Sequence, residues 1–179
     1  MSNAMKAAWC ALSVLLCCAG AGARPIHHYV YFGQDREKIR AASSFLETKA
    51  LEGAQVTYSW RQLEPQEDKY DFSSIREDLA FLTSKGKRLF VQIQDVTFSP
   101  SRKNVPRYLL DDPRYHGGAD QVGEDDEGKA AGGWVARRWD PAVQERFHKL
   151  LFALGREFDG RVEGVNLPET SIGFGESVN

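Results

Sequence analysis

The chain has 179 residues, with 23 Lys plus Arg against 25 Asp plus Glu, and 42% hydrophobic against 27% charged side chains. That balance suits one soluble globular domain and excludes disorder over the whole length; a net charge of −2 offers no basic surface, so no nucleic-acid partner is expected. The three cysteines, Cys10, Cys17 and Cys18, fall within the first eighteen residues, which closes off a disulfide framework, a thiol nucleophile or a thiolate metal site in the rest.

Residues 1–4, Met1-Ser2-Asn3-Ala4, precede a second methionine and read as an expression-vector remnant. Residues 5–23 have the form of a secretory signal: Lys6, an apolar run from Ala7 to Cys18, and the small-residue exit Ala21-Gly22-Ala23. The run is shorter than the roughly 20 residues a membrane span requires. Cleavage after Ala23, a secreted or periplasmic product and no stable membrane anchor are therefore expected. A lipoprotein site would place a small residue before the modified cysteine, but Leu16 precedes Cys17. The exported product, 24–179, would keep 22 basic and 25 acidic side chains and a charge of −3.

His28-Tyr29-Val30-Tyr31-Phe32, ending at Gly33, is a short aromatic and β-branched run that suits a buried strand. Asp35 then caps a predicted helix in which Ile39, Ala42 and Leu46 recur at helical spacing, and Gly53 stops it. Ala54 to Trp60 alternates with period two, the clearest strand signal in the chain. Ser74 and Glu77 have capping-box spacing, and Ile75, Leu79 and Leu82 form a stripe that ends at Lys85-Gly86. Leu89–Ile93 is the third predicted strand. Asp140-Pro141 is a cap with proline in the first turn, after which Val143, Phe147, Leu150, Leu151, Leu154 and Phe158 fill one helix face up to Gly160. Val162–Asn166 is the fourth strand.

Strands alternating with helices give an α/β class with a parallel sheet and right-handed crossovers. The third crossover contains an excursion from about 95 to 139, rich in glycine and acid between Gly117 and Gly133. Long loops of this kind are functional or disordered, and greatest mobility is expected between Asp111 and Trp139.

In parallel α/β proteins the loops leaving the carboxyl ends of the strands carry the chemistry. No glycine-rich phosphate turn follows the first strand, and no P-loop or Gly-x-Ser-x-Gly elbow occurs. His27, His28, His116 and His148 lack ligand spacing, so neither a metal nor another cofactor is expected. What remains is Trp60, Arg61 and Glu64 after the second strand, Gln92, Gln94 and Asp95 at the end of the third, and Asn166 and Glu169 after the fourth. Carboxyl groups to assist a leaving group, amides to orient hydroxyls and indoles to stack on pyranose faces suit a carbohydrate substrate.

The stretch Ser59-Trp60-Arg61-Gln62-Leu63-Glu64-Pro65 through Tyr70-Asp71-Phe72 resembles the segment after the second strand of clan A (β/α)8 glycoside hydrolases. The likeness continues through Lys85-Gly86-Lys87, Val105-Pro106-Arg107-Tyr108-Leu109-Leu110 and Asn166-Leu167-Pro168-Glu169. It implies that 24–179 is the N-terminal half of a TIM-type barrel, its first four (β/α) units. It also implies a glycosidase, retaining if complete, with Glu169 as acid/base. The clan places asparagine immediately before that glutamate, whereas Asn166 lies three residues ahead; its nucleophile sits at the seventh strand, beyond this chain's fourth. The second carboxylate is expected outside this chain.

Each candidate also has a plainer reading. Trp60 is either a stacking platform or a core aromatic at a strand end, and Arg61 either contacts substrate or pairs behind it. Gln92 and Gln94 share a strand face as a polar lining, and Asp95 could equally form a turn. Trp134 and Trp139 either stack on sugar or pack the excursion on the barrel rim. Glu64-Pro65 and Tyr70-Asp71-Phe72 read as structural, Glu124 to Glu127 as a solvated charge run, and Glu176 and Glu163 as poorer acids than Glu169. The alternative to an enzyme is a catalytically silent carbohydrate-binding or assembly-forming half-barrel, and a third option is a small open α/β protein unrelated to sugars. Four parallel strands leave two open edges, so a homo-oligomer through those edges is expected of the isolated chain, with the faces bearing Val56, Val91 and Val165 poorly covered.

Overall fold

The computed structural model describes residues 26–122 and 132–168. Strands β1 (His28–Gly33), β2 (Leu51–Ser59) and β3 (Arg88–Gln94) pair in parallel. The short antiparallel pair β4 (Ala119–Gln121) and β5 (Trp134–Ala136) stands apart, and β6 (Gly164–Asn166) joins the main sheet in the order β1-β2-β3-β6. Among the described residues the helices are α1 (Glu37–Ala41), α2 (Ser43–Glu47), α3 (Trp60–Leu63), α4 (Ser73–Ser84), α5 (Arg107–Asp111) and α6 (Pro141–Phe158), with a 3₁₀ turn at Pro113–Tyr115. None is long and apolar enough to cross a membrane.

Sheet order follows chain order. Every crossover of the main sheet therefore turns the same way and lays its helix on the same face, as in a barrel; a doubly wound sheet reverses direction part-way and covers both faces. The α/β class and the succession of (β/α) units are as the sequence implies.

Period-two alternation then sorts the side chains. Ala54, Val56 and Tyr58 of β2 and Leu89, Val91 and Ile93 of β3 point into the helix layer, where they join Ile39, Phe45, Leu79, Leu82, Val143, Phe147, Leu150 and Leu154 in one core. The expectation that Val56 and Val91 would be left uncovered is corrected: both are fully buried, because the helices lie on their side of the sheet. Val165, on the short outer strand, is 41% exposed.

The longest helix follows its sequence signals closely. Asp140 Oδ1 accepts from the amides of Ala142 at 2.9 Å and Val143 at 3.4 Å, and Pro141 occupies the first turn. At the end of α4, Gly86 takes φ +66° and the Lys87 amide donates back to the Leu82 carbonyl at 2.8 Å, the closure that Lys85-Gly86 predicts.

Four local expectations are revised. The single helix after Asp35 is two short ones, broken at Ala42, whose ψ of 76° leaves the helical region. Gly53 does not stop a helix; it lies within β2, where an added Cβ would stand 2.4 Å from the Arg88 carbonyl oxygen and 2.7 Å from the Tyr29 ring. Trp60 leaves the strand and opens α3, with Ser59 Oγ accepting from the Gln62 amide at 3.2 Å. The capping box at Ser74 is not formed, because Ser74 Oγ receives Arg36 and Gln62 and the helix starts at Ser73, so Ser74 already lies inside it.

The described ends of the excursion are tied together beside β3. Thr97 and Trp134 exchange both backbone hydrogen bonds at 2.8 Å, and Val96, Val122 and Val135 form a small second core beside them. The Glu124–Glu127 run, the 1–23 leader, Glu169 and Glu176 lie outside the described residues.

Candidate functional site

The face of the sheet opposite the helices carries the other parity of each strand. Parallel register places Gln55 beside Phe90, Thr57 beside Gln92, Ser59 beside Gln94, and Gln92 beside Asn166. Toward the carboxyl ends of the strands this face opens into a cleft of about 570 Å³, lined by Tyr31, Gln55, Gln92, Gln94, Val96, Phe98, Asn166, Leu167 and Pro168.

The polar groups here bond in two sets, one around Gln92 and one at Gln94. Gln55 Nε2 donates to Gln92 Oε1 at 2.9 Å, and Gln34 Nε2 donates to Gln94 Oε1 at 2.8 Å. Thr57 Oγ1 lies 3.2 Å from Gln92 Oε1 and 3.4 Å from the Tyr31 hydroxyl, and its single proton serves one of them at a time. Among the described residues the Nε2 groups of Gln92 and Gln94 donate to no partner, and both residues line the cleft, which leaves them as donors to a ligand. Tyr31, 61% exposed, and Phe98, 69% exposed, supply aromatic surface to the same space. Fixed amide donors beside exposed aromatic rings bind a hydroxyl-rich ring: the amides take its oxygens and the aromatics its C–H faces.

Of the residues singled out from sequence, the cleft brings together Gln92, Gln94 and Asn166. The other four described candidates stand elsewhere. Trp60 has no exposed surface: its indole nitrogen donates to Glu64 Oε2 at 2.9 Å and its ring meets Phe147 edge-on at 5.0 Å, so it is a core aromatic and not a stacking platform. Arg61 directs Nη1 to the Lys103 carbonyl at 3.3 Å while its own amide donates to the Asn104 carbonyl at 2.8 Å, which makes it a brace for the turn after β3. Trp134 donates to the Pro100 carbonyl at 2.9 Å, and the Lys103 ammonium covers its ring 3.4 Å from the centroid, so that face is already taken. Trp139 is half exposed beside Arg137 and does not line the cleft. Glu169 follows Pro168 in sequence and lies outside the described residues.

Tyr31, Gln55, Thr57 and Phe98 escaped the sequence reading, which admitted only residues just past each strand. The signal for Gln55 and Thr57 was present: in the alternating run they are the polar parity of β2, and that parity had to face away from the helices.

Glu64 is structural, as its setting beside Pro65 implies. It is fully buried, accepts from the Asp68 amide at 3.2 Å and from Trp60, and pairs with Arg146 of α6. Arg146 also donates to Asp68 Oδ1 at 2.9 Å and to the Tyr108 hydroxyl at 3.1 Å. The Arg146 hydrogen bond holds the Asp68 carboxyl below its usual range. This hub ties the exit of β2 to α6 and buries Glu64 away from the cleft.

Asp95, at the end of β3, is the opposite case. It is fully buried, and Arg138 Nε lies 2.9 Å from Oδ2 but out of line for a hydrogen bond; neither carboxylate oxygen has a hydrogen-bond partner among the described residues. Burial pushes its pKa up against the opposing charge of Arg138. Asp95 does not line the cleft. Among the described residues no three His, Cys, Asp or Glu side chains gather as metal ligands.

No family model matches the sequence, and no curated protein matches it significantly. Solved structures match the fold. A variant of GH5_18 from Bifidobacterium longum subsp. longum ATCC 55813, in complex with Manb1-4GlcNAc, superposes with a TM-score of 0.50 at 10% identity over 79% of this chain and 33% of that one. The GH5_18 structure described without a ligand gives 0.49 at 11% identity, over 78% and 32%. The chain thus spans about a third of the length of the solved structures it matches, and its fold corresponds to part of a TIM-type barrel.

Proposed function

We propose that this chain contributes the first four (β/α) units of an exported carbohydrate-active protein that hydrolyses O-glycosidic bonds. One observation carries the reading: the helix-free face of a glycoside hydrolase-like sheet ends in bonded amides flanked by Tyr31 and Phe98, at the carboxyl ends of the strands where barrel enzymes do their chemistry. Glu169 is the acid/base. It protonates the glycosidic oxygen as the bond to the anomeric carbon breaks, while a second carboxylate from outside this chain attacks that carbon. Glu169 then takes a proton from the water that releases the sugar. Gln92, Gln94 and Asn166 orient hydroxyls of the bound ring.

A binding-only half-barrel is the second reading, favoured by the absence of any carboxylate among the described residues lining the cleft. An isolated chain with open edges at β1 and β6 would assemble with further copies through them. The leader would be removed after Ala23, as N-terminal sequencing of secreted material would check.

The test is the Glu169→Gln variant of the complete protein, assayed on aryl glycosides alongside saccharide binding. Hydrolysis should fall by about 10²–10⁴-fold with binding and the thermal melt unchanged. Full activity of that variant would remove Glu169 from the role. Saccharide binding without hydrolysis in either form would select the binding reading, and loss of neither function on Gln92→Ala plus Gln94→Ala would displace the cleft itself.

A further inference from the structure

The cleft does not end at Phe98. A contiguous recess of about 440 Å³ shares Tyr31, Gln94 and Phe98 with it and continues to Gln34, Asn104 and Arg102. Together the two hold more than one sugar ring. Among the described residues lining either space, Arg102 is the one charged side chain.

Its surroundings reinforce that sign. Arg61, from α3, braces the turn that carries Arg102 and Lys103 through the bond from its Nη1 to the Lys103 carbonyl. Within the described residues none of Arg61, Lys103 and Arg102 is within ion-pair distance of a carboxylate, whereas Arg36, Arg88, Arg114 and Arg146 elsewhere each meet one. A protein with net charge −2 therefore presents a locally basic rim at this end of the cleft. The Arg61 fork and the Lys103 ammonium are engaged, with a carbonyl and with the Trp134 ring, while the exposed Arg102 guanidinium bonds no described group.

The turn that carries Arg102 is set in advance. Asn104, 4% exposed, donates Nδ2 to the Val96 carbonyl at 2.6 Å, the Ser99 amide donates to Thr97 Oγ1 at 3.1 Å, and the Arg102 amide donates to the Ser99 carbonyl at 3.4 Å. A guanidinium offered on an ordered turn, next to an aromatic ring and amides, matches a carboxylate borne on a sugar through paired N–H donors.

We infer that the recess beyond Phe98 is a subsite for an acidic sugar, a uronic acid, and that Arg102 selects it. The inference rests on the carbohydrate reading above and names its substrate class. Isothermal titration of the full chain at low salt should compare a glucuronate-containing trisaccharide, its neutral glucose counterpart and its sulfated counterpart. The uronate form should bind about tenfold more tightly than the neutral one. Arg102→Gln should erase that difference and leave neutral binding intact, while Lys85→Gln, a remote surface change, should alter neither. Equal binding of acidic and neutral sugars, or a preference that survives Arg102→Gln, overturns the subsite and spares the carbohydrate reading. A preference confined to the sulfated sugar overturns the carboxylate assignment. Failure of all three sugars to bind overturns both readings.

Discussion

The two faces of one sheet have been given opposite tasks by a single period-two pattern. On the helix side, Val56, Tyr58, Val91 and Ile93 are sealed in a continuous core; on the other, Gln55 and Thr57 bond to Gln92, and Gln94 accepts from Gln34. Neighbours in sequence thus differ entirely in what their loss should do. The apolar parity holds the fold, and the polar parity lines the cleft.

The largest effect should come from the hub that locks the loop after β2 onto the helix layer. Arg146→Ala leaves Glu64 as a buried, uncompensated carboxylate and should lower stability by about 3–5 kcal/mol, read from urea melts. A loss under about 1 kcal/mol would mean that water reaches Glu64 and that the helix side is not sealed there.

Next comes the direct contrast across the sheet. Ile93→Ala should destabilise by about 2–5 kcal/mol, while Gln92→Ala, one residue away, should change stability by about 1 kcal/mol or less and reduce saccharide binding instead. Equal losses of stability from the pair would erase the division of the two faces.

The smallest effect tests Asp95, the charge placed on neither face. Its folded pKa is raised above the ordinary value of 3.8. Between that value and the raised one the unfolded chain releases a proton that the folded chain retains, so stability falls as pH rises through the window. Asp95→Asn should therefore raise stability at pH 7, and the gain should vanish below about pH 3.8, where both states of the native protein are protonated. A gain that persists in acid would point to packing rather than charge.

How far the sequence could be read depended on whether its signals were local. The cap at Asp140-Pro141, the stop at Lys85-Gly86 and the alternation of β2 and β3 involve residues within a few positions of one another, and all appear as expected. Ala42 and Gly53 misled because a helical stripe does not reveal where the backbone must turn to meet its neighbours. The Glu64–Arg146 pair joins residues far apart in the chain, and nothing near either residue announces the other. The cleft was half legible: Gln92 and Gln94 were visible as a shared face, but register with β1 and β2 was needed to bring Tyr31 and Gln55 beside them. Trp60 and Trp134 were conspicuous for residue type, which says nothing about whether a ring is already covered.

The pair of backbone bonds between Thr97 and Trp134 has a consequence for how such a chain can change. Those bonds close the two ends of the excursion beside the strand ends, while Val105, Leu109 and Tyr115 within it are anchored in the main core. Lengthening a loop closed in this way is inexpensive: doubling it adds only about 0.6 kcal/mol of closure entropy. Enlargement outside those anchored residues would give the scaffold a different rim beside the same amide floor.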